Sequence, residues 1–310
     1  MFYRVYTVLT LVVLLCSAAD YKKEFSGKVV LVNGGTSGIG YQTALQFAQN
    51  GAHVIITARD DHPTWFNGSD TVKKISEDPV VQQTHGTIRF VKTDMCNLTQ
   101  VKALFEDIKQ HENDLDIAVN SAGIIGGLDG FLDLRKFINT KYCPMRNNIY
   151  GTIFSVMYET RFLMAKNHSG IIINLSSVNG LRAAPGAPLY ATSKFGIIGL
   201  TRGAADAFAK NNTPDRPFIR IIAVAPSLTN TSLSWQQVKW MHDGSLPWEG
   251  EYITPSHPLW KQYSPAWIDG LVSKHIAEPK NMADPILFLC SSDASYMTGQ
   301  TFGVDRGYQP

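Results

Sequence analysis

A tyrosine and a lysine with the spacing of one helical turn lie in the second half of the chain. Tyr190 and Lys194 open a stretch of helical periodicity that ends near Lys210, and a spacing of four places their side chains on one helical face. A phenol with a pKa near 10 is a poor acid–base group at neutral pH unless a nearby ammonium favours its ionised form. The pair therefore predicts proton transfer at a substrate oxygen. Taken alone, the same two residues also fit an ordinary surface pair.

Two serines follow a strongly apolar segment upstream of that pair. Residues 171–175 run directly into Ser176 and Ser177. A hydroxyl at the carboxyl end of a central strand lies where a substrate carbonyl would bind, and it can hydrogen-bond the oxygen as charge develops there. In isolation, a serine that ends a strand or caps the next element is the better explanation of the pattern.

A glycine-rich turn connects the first apolar segment, Val29–Asn33, to a helical segment. Glycines let the backbone approach a pyrophosphate, whose charge then meets the N–H groups and positive end of the helix. Because the turn follows the first strand of an alternating pattern, we favour a dinucleotide site over a simple tight turn. The predicted contacts in this turn are Gly34, Thr36, Ser37, Gly38, Ile39 and Gly40.

The residue that ends the second apolar segment bears on which nicotinamide cofactor is bound. Residues 55–58 are followed by Arg59. A carboxylate here would bind the ribose hydroxyls of NAD(H), whereas an arginine offers charge to the 2′-phosphate of NADP(H). We therefore expect a preference for NADP(H). NAD(H) is the alternative, because Asp60 and Asp61 reduce the local positive charge and Arg59 also fits a solvated strand end.

These features occur together with the order and spacing of one protein family. Between about Lys28 and Gly307 the chain resembles the short-chain dehydrogenase/reductases, which are oxidoreductases with a single Rossmann-type domain. The motifs that carry the resemblance are Asn33-Gly34-x-x-x-Gly38-x-Gly40, Asn120-Ser121-Ala122-Gly123, Ser177 and Tyr190-x-x-x-Lys194.

The resemblance implies a role for each motif residue. Tyr190 resembles the general acid–base, Lys194 the residue that lowers its pKa and binds the nicotinamide ribose, and Ser177 the residue that stabilises the substrate oxygen. Ser176 fits that last role less well by its spacing to Tyr190. The remaining implied positions are Asn148 beside a proton-relay water, Asp94 at the adenine, Asn120 and Gly123 beside the adenosine ribose, and Pro226 to Thr231 at the nicotinamide carboxamide.

Three positions depart from the family pattern. Asn33 replaces the usual threonine, Ser227 replaces the usual glycine after Pro226, and Arg306 stands within Asp-Arg-Gly in place of Asp-Gly-Gly. None of these changes removes a reacting group. Ser227 and Arg306 can alter the loop over the nicotinamide or a subunit contact, so these changes bear on turnover more than on cofactor binding.

The remaining sequence indicates how these residues are positioned. Apolar strand-length segments separated by helical ones predict a parallel sheet covered on both faces, with ligands at the carboxyl ends of its strands. We expect one doubly wound α/β domain of the Rossmann type over residues 20–310. A tryptophan-rich stretch at about 228–277 is predicted to be a lid, although packing onto the domain or a subunit interface also explains its aromatic residues. The predicted strands are 29–33, 54–57, 88–92, 117–120, 171–175 and 220–224, and the predicted helices are 40–49, 99–110 and 194–210.

Composition and spacing exclude several classes of function. A net charge of +2 and a pI near 8.2, without a long basic run, give no sign of a nucleic-acid partner. The eight histidines lack metal-site spacing, so no metal is expected, and Ser177 lacks the elbow motif of a hydrolase.

We therefore predict hydride transfer between NADP(H) and a small alcohol or ketone, an apolar one in view of the aromatic lid. The alternative is a catalytically silent dinucleotide-binding or partner-binding protein. The resemblance also implies a homo-oligomer, either a dimer or a tetramer.

The N-terminus has the layout of a secretory signal. Arg4 precedes an apolar run that ends at Cys16, and small residues follow, so we predict a signal peptide over residues 1–19 and residence in the ER lumen or outside the cell. The run is shorter than a bilayer span, so an uncleaved anchor in the ER membrane is kept only as the alternative. Membrane contact through this segment or the lid stays open.

Six N-glycosylation patterns fit the secretory route, although Asn174 lies in an apolar segment where a glycan would not fit. Their acceptors are Asn67, Asn97, Asn167, Asn174, Asn211 and Asn230, and the cysteines after the signal, Cys96, Cys143 and Cys290, are interpreted as buried thiols.

Overall fold

The computed structural model describes residues 22–59, 67–126, 143–182, 187–210, 218–235, 256–262 and 275–307. Within them, one sheet contains seven strands, all paired in parallel. The strands are β1 (Val29–Asn33), β2 (His53–Ala58), β3 (Thr87–Lys92), β4 (Ile117–Asn120), β5 (Gly170–Leu175), β6 (Ile219–Pro226) and β7 (Thr301–Val304). Their order across the sheet is β3-β2-β1-β4-β5-β6-β7.

Helices connect the strands and lie on both faces of this sheet. The α-helices are α1 (Lys22–Phe25), α2 (Gly38–Gln49), α3 (Gly68–Ser76), α4 (Pro79–Thr84), α5 (Leu98–His111), α6 (Gly151–Ala165), α7 (Pro188–Lys210) and α8 (Pro279–Cys290). A π-helix, Met145–Tyr150, leads directly into α6, and short 3-10 helices cover Val178–Gly180 and Ser292–Ala294.

The apolar residues of the strands supply the core on both sides of the sheet. Every residue of β1, β4 and β6 is buried, as expected for central parallel strands. One core cluster packs Phe47 of α2 and Ile286 of α8 on one face, and a second packs Leu104 of α5 and Leu163 of α6 on the other. The predicted doubly wound parallel sheet is therefore confirmed.

The structure places the predicted elements with small differences in their bounds. Predicted strands 29–33 and 117–120 match β1 and β4, whereas β7 was not predicted, because Thr301–Val304 is short, only partly buried and contains a glycine. Helix α7 begins six residues before Lys194, so Tyr190 lies in its first turn. Of the thiols predicted to be buried, Cys143 and Cys290 are buried, but Cys96 is half-buried.

Parts of the predicted lid at 228–277 are described, and they pack on one another. Trp260 is buried against Trp235, Leu259 and Ile276, and the Trp235 indole donates a hydrogen bond of 2.7 Å to Asn230 Oδ1. The stretch contains five tryptophans, and these contacts favour a packing role for two of them, Trp235 and Trp260. The other three lie outside the described residues. The predicted signal peptide at 1–19 also lies outside them. None of the helices in the described part of the chain has the length and apolar character to span a bilayer.

Candidate active site

The glycine turn brings together three of the segments predicted to hold the cofactor. Gly34 has a φ of +77°, and a Cβ there would lie 2.7 Å from the backbone of Ala122, which follows β4. Gly38 has a φ of +54°, and a Cβ there would lie 3.1 Å from the Thr231 side chain, which follows β6. Only glycine adopts these backbone angles at low cost, so its presence is what permits the close approach.

The first turn of α2 is suited to an anionic ligand. The helix begins at Gly38, and its N-cap residue Ser37 makes no side-chain hydrogen bond to the helix N–H groups. These N–H groups carry partial positive charge and are natural partners for a phosphate. The glycine cradle and this helix end fit the pyrophosphate of a dinucleotide, and Thr36, Ile39 and Gly40 belong to the same turn.

Tyr190, Ser177 and Lys194 come together beside the end of β5. Ser177 is the second residue after β5 and lies close enough to the Tyr190 hydroxyl to lower its pKa, while its Oγ accepts the N–H of Asn179 at 3.2 Å. The Lys194 Nζ lies 5.5 Å from the centroid of the Tyr190 ring and donates a hydrogen bond of 2.8 Å to the Leu175 carbonyl. All three side chains of this group, Ser177, Tyr190 and Lys194, are buried.

Burial shifts the pKa values of Tyr190 and Lys194 in opposite directions. It raises the pKa of Tyr190 to about 12, against a smaller lowering by the Ser177 hydrogen bond. Burial also lowers the pKa of Lys194 to about 8, because an ammonium loses hydration there. The Lys194 ammonium lies over the ring and donates to the Leu175 carbonyl, and the lowering of the Tyr190 pKa by Lys194 that the resemblance implies stays a prediction.

Ser176 has a structural role. Its Oγ donates a hydrogen bond of 2.9 Å to the Lys194 carbonyl in α7, which ties the end of β5 to the helix that carries Tyr190. The two serines therefore have different surroundings, since Ser177 lies near the tyrosine hydroxyl.

Asn148 lies in the π-helix, a local distortion that often marks functional positions. Its side chain is fully buried and forms two hydrogen bonds of 2.8 Å with the backbone of Ile124. It also donates to Ser193 Oγ at 2.9 Å. A Cβ at Gly123 would lie 3.3 Å from Asn148 Oδ1 and 3.5 Å from Lys194 Nζ, so the structure brings Asn148, Gly123 and Lys194 together.

Arg59 and Asp94 lie at the ends of adjacent strands. Arg59 follows β2, and its Nη1 donates a hydrogen bond of 3.2 Å to Asn147 Oδ1. Asp94 lies two residues beyond β3 and accepts the N–H of Cys96 at 2.9 Å. Sequence reasoning missed Asn147, because the contact joins residues 88 positions apart and neither residue signals the other.

Asn120 belongs to a buried polar network. Its side chain is buried and hydrogen-bonds Asn33, Glu159 and Asn174, and the place of its segment beside the adenosine ribose stays a prediction. The physical reason for this burial is its position as the last residue of β4, where the side chain points into the protein. The following residues Ser121 and Ala122 lie against the glycine turn. Pro226 ends β6, and the chain continues to Thr231 beside Gly38.

A parallel sheet with a glycine turn after its first strand, and a Tyr–Lys pair beside the end of a central strand, defines a nicotinamide-dependent oxidoreductase of the Rossmann type. The chain belongs to the short chain dehydrogenase family, whose model matches residues 28–242. Residues 256–309 match a second model, described as enoyl-(acyl carrier protein) reductase.

Relatives over nearly the whole chain are oxidoreductases of this family. A 3-oxoacyl-[acyl-carrier-protein] reductase FabG of Thermotoga maritima is 32% identical over 288 residues, which cover 92% of this chain and 98% of the relative. A 3beta-hydroxysteroid dehydrogenase of Mediterraneibacter gnavus is 29% identical over 285 residues, 92% of this chain and 96% of that protein. The protein is accordingly an NAD(P)-dependent short-chain oxidoreductase.

Solved structures agree with this fold. ElxO with NADP bound is 28% identical with a TM-score of 0.69, and the match covers 91% of this chain and 98% of that one. Levodione reductase has a TM-score of 0.72 at 24% identity, with 91% and 97% of the two chains covered, and at that identity the likeness concerns the fold alone.

Proposed function

We propose that the protein transfers a hydride between NADP(H) and an apolar alcohol or ketone, with Tyr190 exchanging the proton at the substrate oxygen. The observation that carries this proposal is the burial of Ser177, Tyr190 and Lys194 together at the end of β5, with the Lys194 Nζ 5.5 Å from the centroid of the Tyr190 ring. When bound, the cofactor supplies or accepts the hydride at the substrate carbon. The chain's own groups then hold the substrate oxygen and move its proton.

In the reductive direction, the Tyr190 hydroxyl gives its proton to the oxygen of the carbonyl while hydride reaches the carbon. Ser177 hydrogen-bonds the same oxygen as negative charge develops. A pKa of about 12 keeps Tyr190 protonated at neutral pH, which supports proton donation. In the oxidative direction the same proton returns to Tyr190, and the Lys194 ammonium stabilises the phenolate.

Variants of these residues test the assignment of roles. We expect Tyr190→Phe to lower kcat by about 10³-fold and Ser177→Ala by about 10²-fold. The affinity for cofactor should change by no more than about threefold, because both groups act on the substrate oxygen. Tyr158→Phe is the matched control, since Tyr158 stacks on Phe105 away from this site. Full turnover by Tyr190→Phe on a panel of alcohols and ketones contradicts the proposal.

The preference for NADP(H) rests on Arg59. Its guanidinium is oriented by Asn147 at the end of β2, the position that receives the 2′-substituent of the adenosine ribose in this fold. A relative of known structure, ElxO, binds NADP. Together these observations support a charge-assisted contact between Arg59 and a 2′-phosphate.

Separate titrations with NADPH and NADH test this preference. Arg59→Ala is expected to weaken the binding of NADPH by about 10- to 100-fold, which is the effect of losing one charge-assisted hydrogen bond. The affinity for NADH should not change. Arg161→Ala is the matched control, because it removes an equal charge from a position where the guanidinium lies over the Tyr158 ring. Equal binding of NADPH and NADH by the wild type contradicts the preference.

An apolar substrate is supported by the residues beside Tyr190. Ile125 and Ala187 are buried against the tyrosine, and Leu233 of the predicted lid packs on the same cluster. Leu233→Asp introduces a charge that an apolar substrate does not tolerate. We expect a higher KM for a medium-chain ketone with little change in cofactor affinity. An unchanged KM for apolar substrates contradicts this part of the proposal.

Exposed aromatic and apolar side chains support the homo-oligomer. Tyr150, Met164 and Phe195 each expose 45% or more of their surface. They lie on the π-helix and on α6 and α7, both of which pack against it, so they can form one apolar patch that a second subunit covers. Light scattering on the purified chain tests this, and Phe195→Glu is expected to shift an oligomer toward monomer. A wild-type protein that is monomeric at micromolar concentration contradicts it.

Passage through the secretory pathway is the remaining part of the proposal, and exposed glycan acceptors support it. Asn67, Asn97 and Asn167 are exposed. Asn67 and Asn97 use Oδ1 to cap α3 and α5, and a glycan attached at Nδ2 is compatible with those caps. Two other acceptors conflict with a glycan, since Asn174 is fully buried and the Asn230 amide donates to Glu278. Asn211 lies outside the described residues.

Mass spectrometry after expression in a secretory host tests this route. We expect a loss of mass on treatment with peptide N-glycosidase. Thr99→Ala removes the acceptor pattern at Asn97 but keeps the asparagine cap, so it should abolish that glycan and leave stability unchanged. A mature N-terminus before residue 20, together with no glycan at any site, contradicts the route.

A further inference from the structure

A continuous set of buried polar side chains crosses the sheet beneath the cofactor loops. Asn33, Asn120 and Asn174 are in-register neighbours on β1, β4 and β5. The Asn33 amide donates to Asn120 Oδ1 at 2.7 Å, and the Asn120 amide donates to Asn174 Oδ1 at 2.9 Å. All three side chains are buried, so these hydrogen bonds replace contacts with water.

Glu159 of α6 is the one carboxyl group among the described residues that takes part in this network. Its side chain is 0% exposed. Oε2 accepts the Asn120 amide at 3.0 Å, and Oε1 lies 3.4 Å from the Asn33 amide. Burying a carboxylate without a cation is costly, so the site favours the neutral acid.

The groups that face this carboxyl from each neighbouring element are uncharged. They are Asn33 of β1 and Asn120 of β4, with Ser155 of α6 beside the same Asn33 amide at 3.4 Å. Burial raises the pKa of Glu159 to about 8, against a smaller lowering by the Asn120 hydrogen bond. Within the described residues, no charged group contributes to that shift.

The two asparagines that contact Glu159 are each the last residue before a cofactor loop. Asn33 precedes Gly34, and Asn120 precedes the segment that contains Ala122. These loops already touch, because a Cβ at Gly34 would lie 2.7 Å from the Ala122 backbone. A group that fixes both asparagine side chains therefore also fixes the spacing of the two loops.

We propose that Glu159 is a positioning residue for the dinucleotide site, and that its neutral acid form holds Asn33 and Asn120 so that the glycine turn and residues 121–123 keep their spacing. It acts through these asparagines and does not touch the cofactor. The inference rests on nicotinamide dinucleotide binding, which the family establishes, and not on the preference for NADP(H). Above the pH at which Glu159 ionises, the affinity for cofactor falls.

The test is the dissociation constant of NADPH and of NADH between about pH 6 and pH 9.5 for the wild type, Glu159→Gln and Glu159→Ala. Glutamine keeps the shape and polarity of the neutral acid and does not ionise. At low pH we expect Glu159→Gln to bind within about threefold of the wild type and Glu159→Ala at least about tenfold more weakly. At high pH the wild type should lose at least about tenfold more affinity than Glu159→Gln.

Lys194 titrates in the same range, but it is common to all variants, so the difference between the wild-type and glutamine profiles isolates Glu159. Thr201→Val is the matched control, because Thr201 accepts from Asn174 at the far end of the network. Its cofactor affinity should stay within about twofold of the wild type.

Identical pH profiles for the wild type and Glu159→Gln overturn the inference, as does unchanged binding by a folded Glu159→Ala. If the alanine variant does not fold, the comparison of the two profiles still decides. A wild type that binds neither NADPH nor NADH refutes the cofactor assignment and this inference with it. Failure of the inference alone is recognised because the wild type then still binds the cofactor.

Discussion

Glutamine in place of Glu159 is expected to change how the free energy of unfolding depends on pH. The carboxyl is fully buried, and its pKa is about 8 in the folded chain, compared with 4.5 for an ordinary glutamate. Below pH 4.5 both the folded and the unfolded chain hold this proton. Between pH 4.5 and about 8 the unfolded chain releases the proton and the folded chain keeps it, so rising pH favours unfolding.

The magnitude follows from this pKa difference. At about 1.4 kcal/mol for each pH unit, the contribution of Glu159 falls by roughly 3 to 5 kcal/mol between pH 4.5 and 8. It is complete below pH 4.5 and lost as the pH rises through about 8. Glu159→Gln lacks this titration, so its free energy of unfolding should rise relative to the wild type by about 1 kcal/mol or more per pH unit in that range.

Guanidinium denaturation at several pH values and one protein concentration measures this difference. All other titrating groups are shared by the two proteins, so their contributions cancel. A difference that does not change with pH refutes the reasoning, because it means that Glu159 has the same pKa in the folded and unfolded chains. A wild type that gains stability relative to the variant as pH rises contradicts the sign.

Three further substitutions have expected outcomes. Gly34→Ala should weaken cofactor binding by at least about tenfold, since its Cβ meets the backbone of Ala122 at 2.7 Å; Gly199→Ala in α7, with nothing within 4 Å, should leave titrated affinity unchanged. Arg220→Met should lower the free energy of unfolding by about 2 to 4 kcal/mol in denaturant titrations, because the buried guanidinium bonds the carbonyls of two neighbouring turns. Asn97→Ala should lower the free energy of unfolding by about 1 kcal/mol, because it removes the side-chain cap of α5. Thermal denaturation measures this change.

Much of the fold follows from local sequence pattern. Val29–Asn33 and Ile117–Asn120 are apolar throughout because both faces of a central parallel strand are buried, and this makes them easy to recognise. The edge strand Thr301–Val304 lacks that signal, since it is partly buried and interrupted by Gly303. The helical stretch was predicted to open at Tyr190 and Lys194, whereas α7 begins at Pro188, a residue type that the first helical turn tolerates.

Some residues of the candidate site could also be predicted from local sequence, and others could not. The spacing of Tyr190 and Lys194 and the glycine turn are local features, and a family resemblance connects them. Glu159 is different, because a glutamate within a helical segment is expected to face solvent. Its burial is decided by Asn33, 126 residues away, and by Asn120 on another strand. The replacement of threonine by Asn33 was the one sequence signal, and its partners became visible only in the structure.

Deuteride transfer from the reduced cofactor tests the central claim most directly. The protein is incubated with NADPH deuterated at the transferred position and an apolar ketone, and the alcohol product is analysed by mass spectrometry for the wild type and Tyr190→Phe. We expect deuterium on the carbinol carbon with the wild type and a rate lower by about 10³-fold with the variant, which still binds NADPH. Equal transfer by both proteins, or none by a wild type that binds NADPH, contradicts it.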